Sequence, residues 1–278
     1  NKGVQLAESR LKQNPKDLQT MYLLGVAKNT LAGYEATVNR KFFSALRNGS
    51  KGVDLHKTVI KRNPAFVDAY LSVGMYDYIV GSLPFAVKIL ALIGGVHGSK
   101  KNGLATVERV YRDGEYARDE AATLLAMLYD REKRPNDALK VLNDLNERYP
   151  GNSLFALERA TKLAQLKRFA QSQEAFDAIL QNPKAMNYMP DVINYQYGEA
   201  LFAAKDWDTA AIHYAEAARS VKAPPAVKTL ALLNEGRCLD AIGKRKTALN
   251  RYDAVLKRPD VFRSHKMAKS LQKTPFKP

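Results

Sequence analysis

Apolar side chains recur along most of this chain at steps of three and four residues, with polar and charged residues between them. That spacing puts them on one face of a helix and predicts an all-helical protein without a sheet. Six small residues stand at matching points of the pattern: Gly25, Gly74, Ala126, Ala160, Gly198 and Gly236. A second small residue follows each, at Gly52, Gly103, Ala138, Ser172, Ala210 and Ala248, and in the last four pairs the spacing is 12. Four residues further on come Leu142, Phe176, Tyr214 and Tyr252. A small side chain lets the first helix of a pair approach the second, and the large one fills the space beside it.

Pro150 closes one such unit, and Pro183 and Pro259 fall within a residue of the equivalent place. Proline ends a helix because it lacks an N–H and its ring clashes with the preceding turn. Ala126 and Ala160 are 34 residues apart, and the next two intervals are 38. A helix–turn–helix period of this length with a small/large/Pro pattern resembles the tetratricopeptide repeat. The resemblance covers nearly the whole chain and implies an all-α, superhelical solenoid of helix pairs. Gly3, Ala7, Arg10 and Pro15 have the spacing of a second helix whose first is missing. Residues 1–15 are therefore expected to be the orphan helix of a truncated repeat.

The first two units depart from the regular spacing. Gly25 and Gly52 are 27 residues apart, and Gly74 and Gly103 are 29. The extra residues read as helices in their own right, over about 34–47 and 82–95. The first, YEATVNRKFFSALR, is amphipathic. The second, SLPFAVKILALIGG, is apolar nearly all round, with Ser82 as N-cap and Pro84 in its first turn. It is too short to cross a bilayer. Phe42, Phe85, Ile89 and Leu92 are expected to pack together over the first two repeats, because a patch of that size is rarely left in water. The organisation is then 16–115 for two repeats with inserted helices and 116–259 for four regular ones. Residues 260–278 should form a basic capping helix and tail, docked through Val261, Phe262 and Leu271.

The stretch AYLSVGMYDYIVGSLPFAVKILALIGGVHGSKKNGLATVERV resembles the corresponding segment of the inclusion-body clearance family of tetratricopeptide proteins and their bacterial relatives. There a repeat helix runs into a Leu-Pro helix, a Gly-containing turn and a helix opening near Gly-Leu. The resemblance implies a scaffold with a helical insertion, associated in eukaryotes with mitochondrial or lipid-droplet surfaces.

Charge adds a constraint on partners. The net charge is +16, which favours acidic surfaces of any kind. Residues 38–62 and 257–278 each carry seven Lys/Arg against one Asp and supply most of it. The single cysteine, Cys238, allows no intrachain disulfide and no thiolate cluster. Compartment stays open between cytoplasmic and exported, since a chain starting at Asn1 fits either a processed or a trimmed protein.

Candidate chemistry is thin. GGVHGSKKNG (94–103) lacks the spacing and preceding strand of a phosphate loop. His56, His97, His213 and His265 stand in different repeats without ligand spacing, so no metal is expected. With no nucleophile–base pair and no cofactor fingerprint, neither an enzyme nor a bound cofactor is expected. Nucleic acid is a lesser alternative, since the per-repeat base-reading residues of helical RNA binders are missing.

The first helices of each pair should line the concave face. Their register places Tyr22, Val26, Leu71, Met75, Tyr78, Thr123, Leu157, Gln165 and Leu233 along it. The open end is assigned to Tyr195, Glu199, Phe202, Arg237 and Asp240, with Met127 and Arg131 before them. Aromatic anchors among fixed charges suit capture of a protein or peptide segment. The alternative is a peripheral adaptor that meets an anionic membrane surface through the basic and apolar inserts.

Overall fold

The computed structural model describes residues 2–93, 95 and 97–278, with residues 90 and 91 described by their backbone alone. Asn1, Gly94 and Val96, at the ends of two expected helical segments, lie outside the described residues. Sixteen α-helices, one 3-10 turn at Val67–Ala69 and no strand are found among those described. The chain forms two compact units, one ending at Glu132 and the other beginning at Lys133.

The first unit holds α1 (Lys2–Gln13), α2 (Leu18–Thr37), α3 (Phe42–Arg62), α4 (Tyr70–Gly81), α5 (Phe85–Ile93), α6 (Lys100–Asp113) and α7 (Arg118–Arg131). Asp17 starts α2 by accepting the Thr20 amide at 3.0 Å, which satisfies one of the helix's orphan donors. The two helices of the first pair touch backbone to backbone at their small residues. A Cβ on Gly25 would lie 3.2 Å from the Gly52 carbonyl oxygen and closer still to the His56 ring. Asp68, in the 3-10 turn, is buried and accepts the amides of Glu115, Tyr116 and Ala117 at 2.8–3.0 Å. One carboxylate thus fixes the entry to α7 from 47 residues away.

The first extra segment does not form a helix of its own over 34–47. α2 runs on to Thr37 and α3 starts at Phe42, so the added residues lengthen the pair to 20 and 21 residues, against 12 in α4. Asn48 donates to Glu35 at 2.9 Å and keeps the extension zipped. The second is an excursion that leaves α4 at Gly81 and returns beside it at Lys100, so closely that a Cβ on Gly81 would sit 2.1 Å from the Lys100 amide nitrogen. Helix α5 stands within it. Ser82 does not cap α5; its hydroxyl donates back to the Tyr78 carbonyl at 2.7 Å.

The expected packing of the extra segments fails. Phe85 is 80% exposed, Phe42 67%, Leu92 46% and Ile89 43%. A hairpin longer than the helix beside it has only its partner to bury against at the tip. Within the excursion, Lys88 Nζ reaches back to the Gly81 carbonyl at 3.4 Å.

The second unit holds α8 (Pro135–Arg148), α9 (Ser153–Gln165), α10 (Phe169–Leu180), α11 (Pro183–Tyr188), α12 (Pro190–Ala203), α13 (Trp207–Arg219), α14 (Pro225–Ala241), α15 (Arg245–Leu256) and α16 (Ser264–Lys273). Its core follows the small/large register. Tyr214 and Tyr252 are fully buried, and each ring lies against the glycine of the preceding helix. A Cβ on Gly236 would come within 2.5 Å of the Tyr252 ring. Left-handed residues recur at Lys133, Lys167, Lys205 and Gly243, at the same intervals as the small residues. The next amide bonds back to Leu163, Leu201 or Leu239 at 2.8–3.0 Å in the last three, the 6→1 bond of a Schellman turn.

Helix α16 packs on α15 with Ala268 buried and Leu271 against the core. Phe262, expected to dock with it, is 81% exposed. It and Arg263 are both left-handed (φ 50° and 62°), and this sharp entry into α16 leaves the Phe262 ring in water.

Candidate functional site

In α12, Tyr195, Glu199 and Phe202 are four and three residues apart, so one face carries all three. In α14, Arg237 and Asp240 share a face by the same rule. The fold joins the two sets. Glu199 Oε1 accepts the Tyr214 hydroxyl at 2.7 Å and the Asn234 amide at 2.8 Å. Asn234 in turn accepts from Arg237 Nη1 at 3.1 Å. The Arg237 guanidinium lies over the Phe202 ring, 4.4 Å from its centroid, and Tyr195 meets Tyr214 edge-on at 5.8 Å. Burial, then the Glu199 charge, raises the Tyr195 and Tyr214 phenols above their ordinary range, so both remain neutral donors.

Asp240 is not the open contact that its sequence position suggests. Its side chain is fully buried. It accepts Tyr252 Oη at 2.8 Å, Arg245 Nη1 at 3.0 Å and the backbone N–H of Phe276 at 2.9 Å. That last partner belongs to the non-helical segment after α16, which lies across α14 and α12. The Phe276 ring sits 4.6 Å under Arg237 and 5.6 Å from Phe202, with Trp207 at 6.1 Å. Arg245 Nη2 also donates to the Gln272 carbonyl at 2.6 Å. Five residues picked from the register therefore meet, and three of them hold the chain's own segment.

Phe276, Trp207 and Asn234 escape sequence reasoning. Phe276 follows Pro275 in a stretch without periodicity, and its contacts lie dozens of residues upstream. Several expected lining residues prove to be core: Tyr22, Leu71, Tyr78, Leu157 and Leu233 are buried. Successive residues of a helix are turned by about 100°, so an apolar residue one position off the concave stripe is taken inside. Met127 and Arg131 belong to the first unit. Met127 is exposed, and Arg131 lies 5.8 Å from the Tyr78 ring centroid, beside the Tyr78–Glu132 hydrogen bond of 2.6 Å.

Other features offer less. A surface depression of about 530 Å³ is lined by Tyr149, Asn152, Ser153, Leu154, Lys184, Tyr188 and Met189. Cys238 is buried and its thiol is pushed up to about 12, chiefly by desolvation, so it is unreactive near neutrality. Among the described residues no group of three or more His, Cys, Asp or Glu could hold a metal ion.

These helix pairs, with small residues at each close approach and a left-handed turn between helices, define a tetratricopeptide-type helical-repeat protein. The family model for Iml2/tetratricopeptide repeat protein 39 matches residues 69–271; the chain belongs to that family. The crystal structure of yeast Tom70 is similar, with a TM-score of 0.51 at 11% identity over 97% of this chain. A monomeric mutant of IFIT1 with Gppp-AAAA gives 0.50 at 17% identity, also over 97%. At such identities the likeness is of fold alone, and this chain spans 57% of either neighbour. No curated protein matches the sequence.

Proposed function

We propose that this chain is a non-enzymatic interaction scaffold that takes an extended segment of a partner protein across the α12–α14 face. Tyr195, Glu199, Phe202, Arg237 and Asp240 form that contact, and Met127 and Arg131 offer a separate one in the first unit. The carrying observation is Asp240. Its carboxylate is buried, held by Arg245 and Tyr252, and its remaining bond goes to the backbone N–H of a non-helical segment. A buried carboxylate that accepts a main-chain N–H, beside an aromatic slot lined by Phe202, Trp207 and Arg237, is chemistry that reads an extended peptide.

The test is selection from a displayed random-peptide library on the full chain, followed by affinity measurement on Phe202→Ala and Arg237→Glu. Selected peptides should lose at least about tenfold in affinity on both variants, the scale of one buried aromatic contact. Peptides that bind Phe202→Ala and Arg237→Glu as well as the parent would reject this face as the site.

A second reading rests on the first unit. In the α2–α3 hairpin Phe43 is 93% and Leu46 70% exposed, among Arg40, Lys41, Arg47 and Lys51, and Phe85 of α5 is 80% exposed. Exposed aromatics with cations nearby in the chain suit the interface of an anionic bilayer. No described helix is long and apolar enough to cross one. Flotation with phosphatidylserine vesicles should recover the chain and lose Phe43→Glu and Phe85→Glu; equal recovery of all three, or of none, would dismiss this reading.

A further inference from the structure

The cap of the second unit and the segment that follows it do different work. A terminal repeat needs its apolar end covered, and α16 does that, with Ala268 buried and Leu271 packed on the last pair. After Lys273 the chain turns off that end and runs over α14 and α12. There Phe276 takes a slot made by Phe202, Trp207 and Arg237. Its amide meets the buried Asp240 carboxylate. The segment itself is held by the Phe276 ring and the Phe276 N–H; just before it, in the last turn of α16, Gln272 accepts from Arg245 through its carbonyl and donates to Asp253 through its side chain. Lys273, Thr274, Pro275, Lys277 and Pro278 are exposed.

We propose that residues 274–278 are an intramolecular occupant of the partner site, and that the partner therefore presents the same chemistry: an extended segment with an aromatic side chain whose own backbone N–H is free. Binding a partner then requires release of Phe276, and the competition weakens every partner by the fraction of time the site is filled. The inference rests on the α12–α14 face being the partner site.

The probe is a fluorescein-labelled synthetic peptide with the sequence of residues 272–278, titrated by anisotropy against the full chain and its Phe276→Ala variant. The variant should bind the peptide at least about tenfold more tightly than the parent, because the internal ring no longer competes. The same peptide carrying Phe276→Ala should not bind. Adding Phe202→Ala to the variant should abolish binding while thermal unfolding of the chain stays two-state. A purely structural tail gives another pattern: Phe276→Ala lowers the melting temperature, and the peptide binds neither chain. That result overturns the proposal. If library-selected peptides still depend on Phe202 and Arg237 while this peptide binds neither chain, the scaffold reading stands and only the internal-occupant inference falls. If nothing binds through those residues, both fall.

Discussion

The long first helix pair and the regular pairs of the second unit are built on the same register of small residues, yet they expose opposite things. In the second unit Gly198 and Gly236 receive the rings of Tyr214 and Tyr252, and each helix ends within a turn or two of that contact. In the first, Gly25 and Gly52 make an equally close approach, but both helices continue well past it to a tip at Val38, Phe42 and Phe43. The comparison shows that the small-residue contact fixes how a pair packs, while helix length beyond it decides what is left in water. Regular length leaves a polar, aromatic slot; extra length leaves phenylalanines.

Breaking the connection in the first unit should have the largest effect. Asp68→Ala leaves three amides at the start of α7 without an acceptor, and should cost about 3 kcal/mol in urea denaturation. A loss under about 1 kcal/mol would mean that water replaces the carboxylate. The glycines come next. Gly236→Ala pushes a methyl into the Tyr252 ring and should cost about 2 kcal/mol. Gly33→Ala, in the extension, meets nothing within 4 Å and should stabilise by about 0.5–1 kcal/mol. The same sign for both would erase the contrast between packed register and free tip.

Acid should sharpen the comparison further. Burial holds His56 in the first unit and His213 in the second below the ordinary value of 6.5. The unfolded chain therefore takes up protons first, and stability falls as pH drops through about 6.5. Glu120 and Glu235, raised by burial, act in the opposite sense nearer their ordinary 4.5. Melting temperatures between about pH 7.5 and 6 isolate the histidines. His56→Asn with His213→Asn should flatten the slope; an unchanged slope would place the titration elsewhere. The smallest effect is at the turns. Lys205 holds φ 65°, strained for a residue with a Cβ, and Lys205→Gly should gain about 0.5 kcal/mol in the same denaturation assay once the freer unfolded chain is counted.

Much of the fold is legible in the sequence because it rests on local spacing. Gly198, Ala210 and Tyr214 reveal a helix pair without knowledge of anything distant. The stripe that unites Tyr195 with Phe202, and Arg237 with Asp240, follows from helix geometry alone. What escapes is set by contacts of long separation or by length. The lysines at the left-handed turns carry no glycine signature. The extra residues after Tyr34 look like a separate helix because an amphipathic stripe does not say where a turn falls. Phe276 looks like tail because the groups that hold it, Phe202, Trp207, Arg237 and Asp240, lie far upstream in the sequence.

Trp207 reports directly on whether residues 274–278 reversibly fill the proposed partner site. It is the only tryptophan in the chain and packs edge-on against both Phe202 and Phe276. Its emission should shift to the red in Phe276→Ala, as water reaches the slot, and return toward the parent value as the peptide of residues 272–278 saturates the variant. Emission unchanged by Phe276→Ala, or a red shift that no concentration of peptide reverses, would contradict the account.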